Sequence, residues 1–186
     1  TSPAGAIKRP KPDVPPNETL ELANEMVRVL DDKHQAVGPW TPKISAEDLR
    51  TGLRHMLLTR IFDERMQRQQ RQGRISFYIK STGEEAISVA QGMALNPDDM
   101  LFPSYRNQAL YLVRGRALVD LMNQCLSNTR DMCKGRQLPV MYHSRALNIF
   151  TISGNLATQF PQAVGWAMAS AIKGATRIAV SWIGEG

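Results

Sequence analysis

The last third of the sequence predicts an α/β fold, a parallel sheet flanked by helices, and three observations predict it. Ala163, Gly165, Ala167, Ala169, Ser170 and Ala171 make a stretch with almost no side-chain bulk. Such a helix can approach a sheet closely. Gly174 offers a helix stop, and the run 178–183 follows, whose Ile178-Ala179-Val180 centre suits a parallel strand covered on both faces. Gly184-Glu185-Gly186 then turns the chain at the strand's carboxyl end, where ligands of such sheets bind.

The earlier elements follow in order. Residues 1–18 hold prolines 3, 10, 12, 15 and 16, a density that blocks helix and removes backbone donors, so an extended Pro-rich N-terminal arm is expected. A short amphipathic segment spans 20–30, and the irregular Gly38-Pro39-Trp40-Thr41-Pro42 separates it from the body. Trp40 between prolines reads better as a packing anchor than as a surface for stacking a ligand. This places one boundary near residue 44: an arm with a short helix over 1–44, and an α/β domain over 45–186.

Ser45-Ala46-Glu47-Asp48 is a helix start, with a hydroxyl for capping and acid in the first turn. Leu49, Leu53, Met56, Leu57, Ile61 and Phe62 recur at helical spacing up to the stop at Gly73, predicting one long helix that buries this face. Arg60, Arg65, Arg68, Arg71 and Arg74 would lie on its solvated side. Gly83-Glu84-Glu85-Ala86 opens a second helix reaching about residue 95. Its adjacent glutamates point in different directions, so they read as capping residues and not as an acid–base pair. Asn96-Pro97-Asp98-Asp99 turns the chain, and 117–126 predicts a further helix.

Composition limits the function classes. The 186 residues are 42% hydrophobic and 6% aromatic, enough for one domain with a real core. The net charge of +6 is dispersed among acidic and apolar residues instead of forming a basic block, which argues against nucleic acid. Cys125 and Cys133 lie eight apart without Cys-x-x-Cys spacing or clustered histidines, so neither a zinc site nor a disulfide framework is indicated. No run reaches 18 apolar residues and the N-terminus lacks a secretory core, so a soluble intracellular protein away from membranes is expected.

Two stretches can carry chemistry. Glu185 between two glycines reads either as part of a tight turn or as a hard oxygen ligand for magnesium, with a diphosphate approaching the bare backbone. In Phe102-Pro103-Ser104-Tyr105-Arg106, Arg106 supplies a planar fork suited to phosphate and Tyr105 a phenol donor, a pair that can equally be structural.

Six stretches in order resolve that ambiguity: Ser76-Phe77-Tyr78, Gly83-Glu84-Glu85-Ala86, Tyr105-Arg106, Lys134-Gly135-Arg136-Gln137-Leu138-Pro139, Ser153-Gly154-Asn155-Leu156-Ala157-Thr158-Gln159 and Gly184-Glu185-Gly186. From about Trp40 onward the chain resembles the alpha subunits of the thiamine-diphosphate-dependent 2-oxo acid dehydrogenases, the branched-chain (2-oxoisovalerate) group above all. The resemblance implies a thiamine-diphosphate-binding fold cut short after an early strand, since the family's motif continues into a crossover helix and a later asparagine, and a histidine-bearing loop comes later still.

It also implies roles. Tyr105 and Arg106 would hold the cofactor diphosphate, Leu156 would lie against the aminopyrimidine, and Gly154, Gly184, Glu185 and Gly186 would complete the cofactor site. Glu185 would ligate magnesium. Ser153, Asn155, Thr158 and Gln159 would hold a monovalent cation, commonly potassium. Asn155 stands where some members have proline. Phe77 and Tyr105 would line the substrate pocket, an apolar wall suited to a branched aliphatic oxo acid.

No catalytic side chain is expected in these residues, because the family's activating glutamate comes from the beta subunit. The implied partners are that beta subunit in an alpha2beta2 heterotetramer, a lipoyl-bearing acyltransferase core and a small 2-oxo acid. Bacterial cytoplasm and mitochondrial matrix are the implied locations. Pyruvate or acetoin as substrate, or a scaffold piece that only binds the beta subunit, are the alternatives.

Overall fold

The computed structural model describes residues 2–184. The chain divides into two compact units, residues 1–46 and 47–186. In the first, turns occupy the stretch before a 3-10 helix, Pro16–Asn24. An antiparallel bridge between Leu30 and Ala36 then closes a loop, and Asp31 Oδ1 accepts the amides of Lys33 and Gln35 at 2.9 and 2.8 Å. Prolines explain why no strand forms before residue 16 among the described residues. Trp40 packs with the Arg9 guanidinium 5.5 Å from its ring.

The second unit is mixed α/β. Helix α1 (Ala46–Arg71) leads to α2 (Glu85–Ala94), strand β1 (Met100–Phe102), α3 (Gln108–Val113), α4 (Leu118–Cys125), α5 (Gln159–Ile172) and strand β2 (Ala179–Ser181). The strands pair in parallel, Met100 opposite Ala179 and Phe102 opposite Ser181. On β1's other edge, the Leu101 amide donates to Asn148 O at 2.9 Å and Leu101 O accepts the Phe150 amide at 2.8 Å. Strand β1 is thus enclosed on both edges, with Leu101 and Phe102 0% and 2% exposed. Helix α5 packs against both strands.

The strand near residue 180 and its parallel pairing match expectation, but its coverage does not. Ala179, Val180 and Ser181 are half-buried and Ile178 is exposed, because β1 is the one strand paired to it among the described residues. Strand β1 itself escaped the sequence reading, since three residues between a turn and a proline carry too short a pattern.

Helix α1 corrects a second expectation. Leu49, Leu53, Leu57 and Ile61 are exposed, whereas Thr59, Phe62, Asp63 and Met66 are buried. The inward face includes polar groups whose bonds are satisfied: Thr59 Oγ1 donates to His55 O at 2.8 Å, and Asp63 accepts three hydrogen bonds. Counting apolar residues therefore selects the wrong side of this helix.

Three helices end alike. Gly73, Gly115 and Gly174 have φ of 73°, 87° and 66°, and the residue after each donates back across the last turn, Arg74 to Gln69 O, Arg116 to Tyr111 O and Ala175 to Ser170 O. Each thereby satisfies carbonyls that the helix leaves open. Where α2 crosses α3, a Cβ on Gly92 would stand 3.0 Å from Val113 Cγ1, so glycine suits the close approach and a larger residue would push the Val113 side chain aside.

The core gathers Phe62, Met66, Tyr78, Leu101, Leu110, Tyr111, Leu121, Tyr142, Ile149 and Ile152, with Tyr111 and Tyr142 edge to face at 5.4 Å. No helix among the described residues is long and apolar enough to cross a membrane.

Candidate functional site

A cleft of about 370 Å³ opens at the carboxyl ends of β1 and β2. Its walls come from four places far apart in sequence: Glu84 and Ile87 at the start of α2, Ser104 to Arg106 after β1, Leu156, Ala157 and Gln159 entering α5, and Trp182 to Gly184 after β2. Parallel strands deliver their following turns to one end of the sheet, which brings these segments together.

Asn107 builds the Tyr105-Arg106 turn. Its Oδ1 accepts the Ser104 amide and hydroxyl at 2.8 and 2.9 Å, and its Nδ2 donates to Ser88 Oγ on α2 at 2.9 Å. Asn107 is fully buried, so these bonds act with little competition from water. Arg106 Nη1 donates to Lys80 O at 2.9 Å, its Nε lies 3.8 Å from Glu84 Oε1, and its Cζ lies 5.8 Å from the Tyr105 ring. The Arg106–Glu84 pair is nearly half exposed on both sides. An anion arriving at Arg106 would displace a weakly held carboxylate.

The adjacent glutamates divide their work. Glu85, the first residue of α2, is held on both oxygens: its Oε2 accepts the Gly83 amide at 2.8 Å, ahead of the helix, and its Oε1 pairs with Arg60 Nε at 2.6 Å. Burial opposes ionisation of this carboxyl, yet the bonds from Arg60 and Gly83 outweigh it and hold the carboxyl below its usual range. Glu84 makes no side-chain cap and faces the cleft. Arg60 is exposed, as expected, and its guanidinium also links α1 to α2 through Glu85.

The 153–159 loop supplies the opposite wall. Ser153 Oγ accepts the Asn155 amide at 3.2 Å, Thr158 N donates to Asn155 O at 3.4 Å, and Gln159 Nε2 donates to Pro103 O and Ser153 O at 3.3 and 3.4 Å. Gln159 is 4% exposed and its Oε1 is buried without a partner. An orphaned carbonyl oxygen on a cleft wall fits a cation or an N–H donor. Ala157 holds φ of 62°, a conformation a non-glycine residue adopts at a cost, and it sits on the cleft. Leu156 is half exposed, and a Cβ on Gly184 would meet its Cδ2 at 3.4 Å.

Of the expected site residues, Tyr105, Arg106, Leu156, Gln159 and Gly184 line one cleft. Ser153, Asn155 and Thr158 belong to the loop behind it, and Gly154 packs near Met141. Phe77 packs against the hydrophobic core and is not among the residues lining the cleft. The assignment to Glu185 and Gly186 lies outside the described residues. The sequence assigned no site role to Trp182 or Ile87, and it read Glu84 as a capping residue, whereas all three line the cleft. No group of three or more His, Cys, Asp or Glu side chains able to hold a metal occurs among the described residues.

A sequence model described as the dehydrogenase E1 component matches residues 53–186. The chain belongs to the dehydrogenase E1 component family. Among its E1 relatives, the 2-oxoisovalerate dehydrogenase subunit alpha of Pseudomonas aeruginosa is 57% identical over 185 residues, covering 100% of this chain and 45% of that protein. The mitochondrial subunit alpha 2 of Arabidopsis thaliana is 42% identical over 86% of this chain and 34% of its own length. The mitochondrial subunit alpha of Bos taurus is 39% identical over 86% and 35%. This E1 chain thus spans less than half the length of the relatives it matches.

Proposed function

We propose that this chain is the front part of the alpha subunit of a branched-chain 2-oxo acid dehydrogenase, which decarboxylates a branched-chain 2-oxo acid and passes the acyl group to a lipoyl-bearing acyltransferase. The observation that carries the reading is the meeting of Tyr105, Arg106, Leu156 and Gly184 at the carboxyl ends of two parallel strands. The relatives' names, 2-oxoisovalerate dehydrogenase subunit alpha from bacteria and mitochondria, support the substrate class and a bacterial cytoplasmic or mitochondrial matrix location. Residues 45–186 are read as the beginning of a longer thiamine-diphosphate-binding domain.

Thiamine diphosphate, the family's cofactor, would supply the nucleophilic carbon and the electron sink for decarboxylation. This chain's part is binding and orientation. Arg106 and Tyr105 present donors to the diphosphate, Gly154 and Gly184 leave room for it to approach the backbone, and Leu156 offers an apolar surface to the aminopyrimidine. Glu185, followed by Gly186, is assigned as the magnesium ligand by its motif. Ser153, Asn155, Thr158 and Gln159 are assigned to a monovalent cation, with the unpartnered Gln159 Oε1 as the supporting feature. Tyr105, which lines the cleft, is assigned to the substrate wall, and Phe77, packed against the core outside this cleft, is assigned there by its motif alone.

Two apolar faces support assembly with a beta subunit. Leu49, Leu53, Leu57 and Ile61 run exposed along α1, and Phe160, Val164, Met168 and Ile172 along α5. Single exposed leucines are ordinary, but rows of four on one helix face are not.

Calorimetry of full-length alpha with its beta partner, titrated with thiamine diphosphate and magnesium, tests the cleft. Removing one charge-assisted phosphate contact costs about 1.5 to 3 kcal/mol, so Arg106→Ala should weaken binding by about 10- to 100-fold. Unchanged affinity would sink the assignment. On the same assembly, faster turnover of pyruvate than of 2-oxoisovalerate would overturn the substrate class.

A further inference from the structure

The segment linking α1 to α2 passes through residues 77–81 with no ladder of its own, yet the guanidinium of Arg106 rests on it. What holds this segment is a buried carboxylate. Asp63 on α1 is 0% exposed; its Oδ1 accepts Tyr78 Oη at 2.7 Å, and its Oδ2 accepts the Ser81 amide at 2.6 Å and the Ser81 hydroxyl at 2.7 Å. Neighbouring carbonyls point the other way, toward the turn after β1: Ile79 O accepts Gln108 Nε2 at 2.8 Å and Lys80 O accepts Arg106 Nη1 at 2.9 Å. Asp63 therefore grips both ends of a four-residue stretch whose middle carbonyls hold Gln108 and Arg106.

Arg106 has few other restraints. Its side chain is 45% exposed, and its approach to Glu84, at 3.8 Å, is long and solvated. Asn107 fixes the backbone of the turn but not the direction of the guanidinium. That direction depends on where Lys80 O stands, and Lys80 O depends on Ser81.

We infer that Asp63 is a positioning residue for the cleft, fixing through Ser81 the Lys80 carbonyl that aims Arg106 at an incoming diphosphate. The inference rests on the reading of Arg106 as diphosphate anchor. A buried carboxylate that makes no ion pair among the described residues is costly to keep, and a hydrophobic residue would serve packing better. Its presence here is accounted for by the geometry it gives the segment, because a small displacement of a binding group costs much of its contribution.

The test is a double-substitution cycle on full-length alpha assembled with beta, read by the calorimetric Kd for thiamine diphosphate and for inorganic pyrophosphate. Asp63→Asn should weaken both by about tenfold. In an Arg106→Ala background it should add nothing, because the group it positions is gone. Wild-type affinity in Asp63→Asn overturns the inference, as does a full multiplication of the two effects, which would mean general damage to the fold. If Arg106→Ala alone leaves affinity unchanged, the reading of the cleft fails and this inference with it. Should Asp63→Asn not assemble, Ser81→Ala, which keeps the carboxylate and its Tyr78 bond, takes its place in the cycle. It should weaken binding about threefold and only when Arg106 is present; equal binding overturns the inference.

Discussion

Cys125 and Cys133 differ in ways their spacing does not convey. Cys125 is 2% exposed and bonded to Tyr142 Oη at 3.1 Å, and burial pushes its thiol up to about 11. Cys133 is half-buried beside His143 Nδ1 at 3.6 Å, and desolvation raises its thiol as well. With iodoacetamide at about pH 8, Cys133 should label first and Cys125 only on unfolding, followed by peptide mass spectrometry; reversed order would contradict the packing. Ala157 on the cleft wall is a second residue-scale case. Glycine there relieves the positive φ, so Ala157→Gly should cost no stability while loosening the loop that carries Leu156 and Gln159. A clear fall in Tm would show that the Ala157 side chain matters more than its backbone. At this scale the sequence singled out Tyr105, Arg106, Leu156 and Gly184, because each sits in a motif, and the four line one cleft. It was silent on Asp63, whose importance comes from Tyr78 and Ser81, residues 15 and 18 positions away.

Elements were legible where composition acts locally. The helix stops at Gly73 and Gly174 follow from residue type, and a Cβ in the left-handed conformation costs about 1 to 2 kcal/mol. Gly174→Ala should lower stability by about 1 kcal/mol in chemical denaturation, through the end of α5 alone. The face of α1 was not legible, since its buried stripe carries Thr59 and Asp63, which only their partners make tolerable inside. Strand β1 was not legible either, yet it is the most enclosed strand. Leu101→Ala should cost about 2 to 5 kcal/mol, far more than the same change at exposed Leu57. Comparable effects at both positions would contradict the α1 orientation and the centrality of β1.

Over the whole molecule, two buried carboxylates bend the pH dependence of stability in opposite directions. The folded state holds Glu85 below its ordinary 4.5, so its contribution is complete above that value and is lost as pH falls through the folded pKa. Burial raises Asp63 above its ordinary 3.8, despite its hydrogen bonds, so its ionised form costs stability that is regained as pH falls toward that value. Glu85→Gln should therefore be less stable than wild type at about pH 6, with the gap closing by about pH 3 in urea midpoints. A constant gap would show that Glu85 acts through packing and not through its charge. What the sequence by itself determined was the local and the chemical: the helix ends, the strand near residue 180, and the motifs that mark the E1 family. Those depend on the residues within a turn or two, or on side-chain type at fixed spacing. Only the tertiary structure decided which face of α1 is inside, that β1 lies between β2 and residues 148–150, and that a carboxylate on α1 bonds Tyr78 and Ser81, the ends of the segment whose Lys80 carbonyl holds Arg106. Such pairings join groups tens of residues apart, and their free energy exists only once the chain has closed around them and excluded water.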